Sequence, residues 1–83
     1  MLLEILTPAK SVYSGEVKLV KVPGSNGSFE ILKNHAPIIS TLMEGELKVE
    51  TASGETIRYK ISGGVVEMKG NHIVVLAESI ENI

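Results

Sequence analysis

The chain has 83 residues, a formal net charge of −2 and no cysteine. A chain of this length makes one small domain burying only about 60–65% of the surface its unfolded form exposes, which leaves little room for a deep catalytic cleft. The missing cysteines exclude a disulfide framework or thiolate metal site, so apolar packing alone must hold the core; one arginine, Arg58, and no basic stripe argue against direct nucleic-acid binding.

Leu3 and Ile5 set the first strand. Glu4 interrupts its apolar run and no basic segment precedes it, so it reads as neither a signal peptide nor a membrane span. Thr7-Pro8 closes the strand, because proline lacks the amide hydrogen that a ladder needs. A second extended stretch covers Val12 to Val22. In it Val17 and Leu19 share one face while Val20 and Val22 share the other, a phase change that predicts a bulge or burial on both faces. Pro23 to Gly27 is a turn cluster whose Asn26-Gly27 pair suits positive φ. Asn26-Gly27-Ser28 also fits the pattern of a glycosylation acceptor, a match read as accidental because no secretory signal accompanies it.

Phe29 and Ile31 open the next strand, and Lys33 to Pro37 breaks it. Extended structure resumes over Ile38 to Leu42, and Glu44-Gly45 turns. Leu47, Val49 and Thr51 then alternate with Glu46, Lys48 and Glu50, as a half-buried strand should. Ala52 to Glu55 is a hairpin loop, and Ile57, Tyr59 and Ile61 alternate with Arg58 and Lys60 beyond it. Gly63-Gly64 bends the chain, Val65 to Met68 is another strand, and Lys69-Gly70-Asn71 turns into the run from His72 to Ala77. That run lacks alternation and is expected to be a central strand covered on both sides. The pattern predicts an all-β domain over residues 1–78, a small β-sandwich or flattened barrel of roughly eight to ten strands, with 79–83 as a short acidic tail.

Material for chemistry is thin. The chain has no aspartate, and its ten glutamates stand mostly at outward strand positions as a solvated face. His35 and His72 are the only imidazoles, and neither has a second ligand at a familiar metal spacing. His35 could act as a general base only with a serine beside it, and nothing in the spacing nominates Ser40 or Ser62. It is expected instead to tie a kinked connection, while His72 is expected to be satisfied by a neighbouring carbonyl. The loop around Asn26 lacks the lysine and helix start of a phosphate-binding loop. No catalytic residue, cofactor site or metal site is therefore predicted.

Taken in order, the segments LTPAKSVYSGEV, VKVPGSNGSFEILKNHAPIISTLMEGEL, ISGGVVEM and NHIVVLAE resemble the epsilon subunit of F-type ATP synthases, over its N-terminal β-sandwich domain. The resemblance implies a non-catalytic rotor subunit of the central stalk. It would join the gamma subunit to the membrane c-ring and couple ion-driven rotation to ATP synthesis. By motif, Thr7, His35, Ala36, Pro37 and Ser40 would face gamma. Ser25, Asn26, Gly27, Ser28 and Glu30 would form the edge nearest the c-ring, although the family often has an acidic residue where Ser28 stands. The family usually continues into a two-helix hairpin used for inhibition and, in some members, ATP binding. This sequence stops at Ile83, so coupling without hairpin inhibition or ATP binding is expected. So is a peripheral place on the cytoplasmic face of a bacterial plasma membrane, without membrane insertion, and a soluble monomer when isolated. The alternative is a free-standing β-sandwich module binding a ligand or glycan, against which stand only three aromatic residues, Tyr13, Phe29 and Tyr59.

Overall fold

Where apolar and polar residues alternate singly, the chain is extended and one face of it is buried. In the computed structural model, which describes residues 1–83, this produces nine strands and no helix. They are β1 (Leu2–Leu6), β2 (Ser11–Gly24), β3 (Gly27–Leu32), β4 (Ile38–Leu42), β5 (Gly45–Thr51), β6 (Thr56–Ile61), β7 (Gly64–Lys69), β8 (His72–Ala77) and β9 (Ile80–Asn82). All-β architecture and a strand number between eight and ten agree with the sequence pattern.

The strands form one continuous sheet that folds over on itself. β4, β7, β8 and β1 are neighbours in that order and make the first layer, with β1 and β8 parallel and the rest antiparallel. β5, β6 and β9 belong to the second layer. β2 serves both: its residues from Ser11 to Glu16 pair with β1, while those from Val17 onward pair with β5 and β3. The phase change, expected between Leu19 and Val20, lies one step earlier as a register shift between Val17 and Leu19, which lets Val17, Val20 and Val22 all point inward and leaves Leu19 on the outer face.

Sixteen buried apolar side chains from both layers make one core, among them Leu3, Ile5, Ile31, Leu47, Met68 and Ile73. Each branched aliphatic side chain withdrawn from water contributes about 1.5–3 kcal/mol. The buried hydroxyl of Thr51 is satisfied within its own hairpin, where Oγ1 accepts the Glu55 N–H at 3.0 Å.

Two tight turns meet at one end of the first layer. Gly70 and Asn71 both have φ of 59°, as a two-residue type I′ hairpin between β7 and β8 requires. In the β3–β4 connection the His35 N–H donates to the Leu32 carbonyl at 3.1 Å, with Asn34 at φ 65°. The two turns are clasped together. Asn71 Oδ1 accepts the Asn34 N–H at 2.7 Å, and Asn71 Nδ2 donates to Asn34 Oδ1 at 3.0 Å.

Three expectations are corrected. β8 does lie between β1 and β7, but only one of its faces is covered: Ile73, Val75 and Ala77 are buried, while Leu76 is exposed on the other side. Apolar residues on both faces of a strand do not by themselves mean burial on both, and here one face stays open to solvent. The stretch expected to be a tail contains β9, which pairs with the edge of β6 through Ile80 opposite Ile61 and Asn82 opposite Tyr59. Backbone pairing is indifferent to acidic side chains, and Ile80 packs against the core. At the β2–β3 turn only Gly27, at φ 123°, has a positive φ; Asn26 does not share it.

Candidate functional site

The two layers present different outer faces, and register shows which residues share each. On the first layer Leu6, Leu76, Val65 and Thr41 stand in one cross-strand row. The next outward row holds Glu4, Val74, Glu67 and Ile39, and a third holds Leu2, His72 and Lys69. Leu76 is 51% exposed, Val65 38% and Ile39 71%, so an apolar stripe crosses this face. His72 Nε2 lies 3.0 Å from Glu4 Oε2 at its border. The expected carbonyl partner of His72 is thus replaced by a carboxylate from β1.

Gly64 allows the close approach of β7 to β8 beneath this stripe. A Cβ there would overlap the backbone carbonyl oxygen of Leu76. Beside it Leu6, Thr7, Pro8, Val65, Leu76 and Glu78 line an open, mostly apolar hollow of about 470 Å³. At the far end of the same face a smaller hollow lies against Pro37, Ile39, Glu67 and Lys69.

On the second layer two outward rows are charged, while a third holds Leu32, Leu19, Glu50 and Thr56, with Leu32 half exposed. Glu30, Lys21, Lys48 and Arg58 follow one another across β3, β2, β5 and β6, and Glu46, Lys60 and Glu81 form the adjacent row. Three directly opposed cations repel one another modestly. The Arg58 Nη1–Glu46 Oε1 contact of 3.1 Å joins the two rows, and an open groove of about 510 Å³ runs between them and the turn at Gly27.

The residues read as gamma-facing do not form one cluster. His35, Ala36 and Pro37 are contiguous and exposed on the β3–β4 connection. The His35 ring is tied to its own turn by an Nδ1 to Ala36 carbonyl contact of 2.7 Å. Ser40 stands in the inward row with Val66, Val75 and Ile5, and its Oγ donates to the Thr41 carbonyl at 3.1 Å. Thr7 follows Leu6, at the opposite end of the layer from Pro37. Its Oγ1 accepts the Lys10 N–H at 3.3 Å. What joins Thr7 to Pro37 is the apolar stripe between them, which reading the residues singly had missed. Its signal was the unbroken apolar run of β8.

The residues read as ring-facing fare differently. Ser25, Asn26, Gly27 and Ser28 form one exposed hairpin tip, braced by Ser25 Oγ to Thr41 Oγ1 at 2.9 Å and by the Ser25 N–H to the Thr41 carbonyl at 3.1 Å. Glu30 stands apart from it on the charged face, opposite Lys21.

No catalytic arrangement is assembled from these parts. Ser62 Oγ accepts from Ser79 Oγ at 2.8 Å, and neither Ser40 nor Ser62 bonds to His35. No three His, Cys, Asp or Glu side chains converge as metal ligands. Of the three aromatic rings Tyr59 is inside the core, and the half-buried Tyr13 and Phe29 pack against it. Burial, with the nearby Tyr13 hydroxyl second, pushes the Tyr59 phenol above its ordinary value. No helix is long and apolar enough to cross a membrane.

The sandwich thus carries an apolar stripe on one outer face and mainly charged rows on the other. The family model described as "ATP synthase, Delta/Epsilon chain, beta-sandwich domain" matches residues 1–83. The chain belongs to that family. It is 37% identical over 78 residues to the ATP synthase epsilon chain of Chlorobaculum tepidum, covering 94% of this chain and 89% of that one. It is 42% identical over 79 residues to the epsilon chain of Desulforamulus reducens, covering 95% of this chain but 59% of the relative. This delta/epsilon-family domain thus spans nearly all of one relative and little more than half of another. Among solved structures, a chain of the Euglena gracilis mitochondrial ATP synthase, in an assembly described as OSCP/F1/c-ring, superposes with a TM-score of 0.90 at 19% identity. That match covers 99% of this chain and 52% of the Euglena one. A chain of the Tetrahymena thermophila central stalk/c-ring assembly superposes with a TM-score of 0.79 at 18% identity, covering 98% and 65%. At these identities the superpositions establish the shared fold.

Proposed function

We propose that the chain is a non-catalytic rotor component of an F-type ATP synthase, joining a gamma-type subunit to the membrane c-ring and transmitting ion-driven rotation to the catalytic head. The observation that carries the reading is the exposed apolar stripe Leu6–Leu76–Val65, with Ile39 beside it, on a domain whose other outer face is mainly charged. An exposed apolar patch with a polar border marks a surface for protein association. Gamma docks on that stripe, with Thr7 at one end and His35, Ala36 and Pro37 at the other; Ser40 contributes by holding β4 in place. The tip Ser25–Ser28 faces the polar loops of the c-ring, and Glu30 flanks it. The association is peripheral, on the cytoplasmic face of a bacterial membrane, and the isolated chain is a soluble monomer. Its nine strands hold no helical hairpin, and ATP binding of the kind attributed to that hairpin is not a property of these residues.

The test is reconstitution of the synthase with and without this chain. Retention of the ring and ion-linked ATP synthesis are expected to fail without it, and unchanged coupling would overturn the reading. His35→Ala should weaken binding to gamma only modestly, because the ring is already occupied within its own turn. Calorimetric titration of ATP into the chain is expected to give no saturable heat.

A further inference from the structure

The chain has four asparagines, at 26, 34, 71 and 82, and the structure treats them unequally. The carboxamides of Asn34 and Asn71 hold each other. The nitrogen following Asn34 is also engaged, since the His35 N–H donates to Leu32. Asn82 is followed by β-branched Ile83, whose N–H donates to the Arg58 carbonyl at 3.0 Å. Asn26 alone precedes a glycine. It is exposed, its side chain makes no hydrogen bond, and around Gly27 a Cβ would meet no atom within 4 Å. Gly27 pairs with Gly24 at the last rung of the hairpin, so fraying of that one end frees its nitrogen.

We propose that Asn26 is a site of spontaneous deamidation and isoaspartate formation, the first of the four asparagines to convert. The backbone nitrogen of Gly27 attacks Cγ of Asn26 and forms a new C–N bond. The bond from Cγ to the carboxamide nitrogen breaks, and ammonia leaves with the proton that Gly27 nitrogen gives up. Water, the only co-reactant, then opens the five-membered imide at one of its two carbonyls, leaving aspartate or isoaspartate. Nothing is oxidised or reduced. Glycine suits the step because no Cβ blocks the ring closure and its backbone adopts the required geometry freely.

The product changes the hairpin tip in two ways. A neutral amide becomes a carboxylate, taking the formal net charge from −2 to −3. The isoaspartyl form also adds a methylene to the main chain of a two-residue loop, which detaches the tip from its bracing by Thr41. If the chain is the proposed rotor component, this charges and loosens the ring-facing edge. The chemistry does not depend on that function.

The experiment needs only the full chain. Folded protein is kept warm at mildly alkaline pH, digested after lysine and arginine, and mapped by mass spectrometry. An isoaspartyl O-methyltransferase with a labelled methyl donor serves as the second probe. Because the sequence contains no aspartate, every aspartate found is a converted asparagine. Conversion is expected in the peptide Val22–Lys33, ahead of the peptides holding Asn34, Asn71 and Asn82. Asn26→Ser should abolish the label while the chain stays folded. A parallel sample unfolded in urea fixes the rate the free sequence allows. Conversion at Asn26 in urea but not in the folded chain would overturn the proposal, as would earlier conversion at Asn34 or Asn71.

Discussion

The outer face of β1, β8, β7 and β4 and that of β3, β2, β5, β6 and β9 are built on the same ladder geometry and carry opposite chemistry. The first exposes Leu76, Val65 and Ile39. The second places Lys21, Lys48 and Arg58 beside Glu30 and Glu46. A sheet face bordered by water gains nothing from exposed leucine or isoleucine. The first face has the composition of a surface that gains by being covered, and the second, apart from Leu32, that of a surface left in water.

The largest effect that would break this contrast is at Gly64. Gly64→Ala forces a methyl group into the Leu76 carbonyl and should cost about 3 kcal/mol as β7 is pushed from β8, read by urea unfolding. An unchanged midpoint would mean that the layer is not closely packed there. Next comes Leu76→Lys on the apolar face. It should leave stability within about 0.5 kcal/mol, yet weaken binding to gamma at least about tenfold, which is roughly 1.4 kcal/mol. Lys60→Glu on the charged face should leave that affinity alone, and equal losses from both substitutions would erase the distinction.

A smaller effect concerns Tyr59 between the layers. Its folded phenol has a raised pKa, so it is neutral in both states below about 10, the unfolded value. Above that pH the unfolded chain releases the proton first, so stability falls until the folded pKa is passed. Tyr59→Phe should remove this alkaline loss, seen as a flatter dependence of unfolding midpoint on pH. The smallest effect is on the charged face, where a double-mutant cycle of Glu46→Ala and Arg58→Ala should give a coupling of only about 0.2–1 kcal/mol, reduced further by salt.

The same contrast explains how far the fold was legible. β5 and β6 read correctly because water on one side imposes strict alternation, and the phase change in β2 gave away its bulge. β8 misled because His72-Ile73-Val74-Val75-Leu76-Ala77 looks the same whether its second face is covered by this chain or by another protein. The partner of His72 was illegible for a different reason: Glu4 lies 68 residues away in sequence, and only the parallel register of β1 with β8 brings it near. At the candidate site, the exposure of His35-Ala36-Pro37 and of the 25–28 turn could be read from their turn chemistry. The separation of Thr7 from His35 by the length of a layer required the pairing itself.

The sharing of β2 between the layers has a consequence for how the domain comes apart. Fourteen residues long, it bonds to β1, β3 and β5 and touches β4 at Gly24. Neither layer can open fully while the other keeps its ladder on that strand. Amide hydrogens in β1 and in β5 should therefore exchange with solvent through the same global event, with one common free energy, and no half-open species should accumulate when the domain is put under torque.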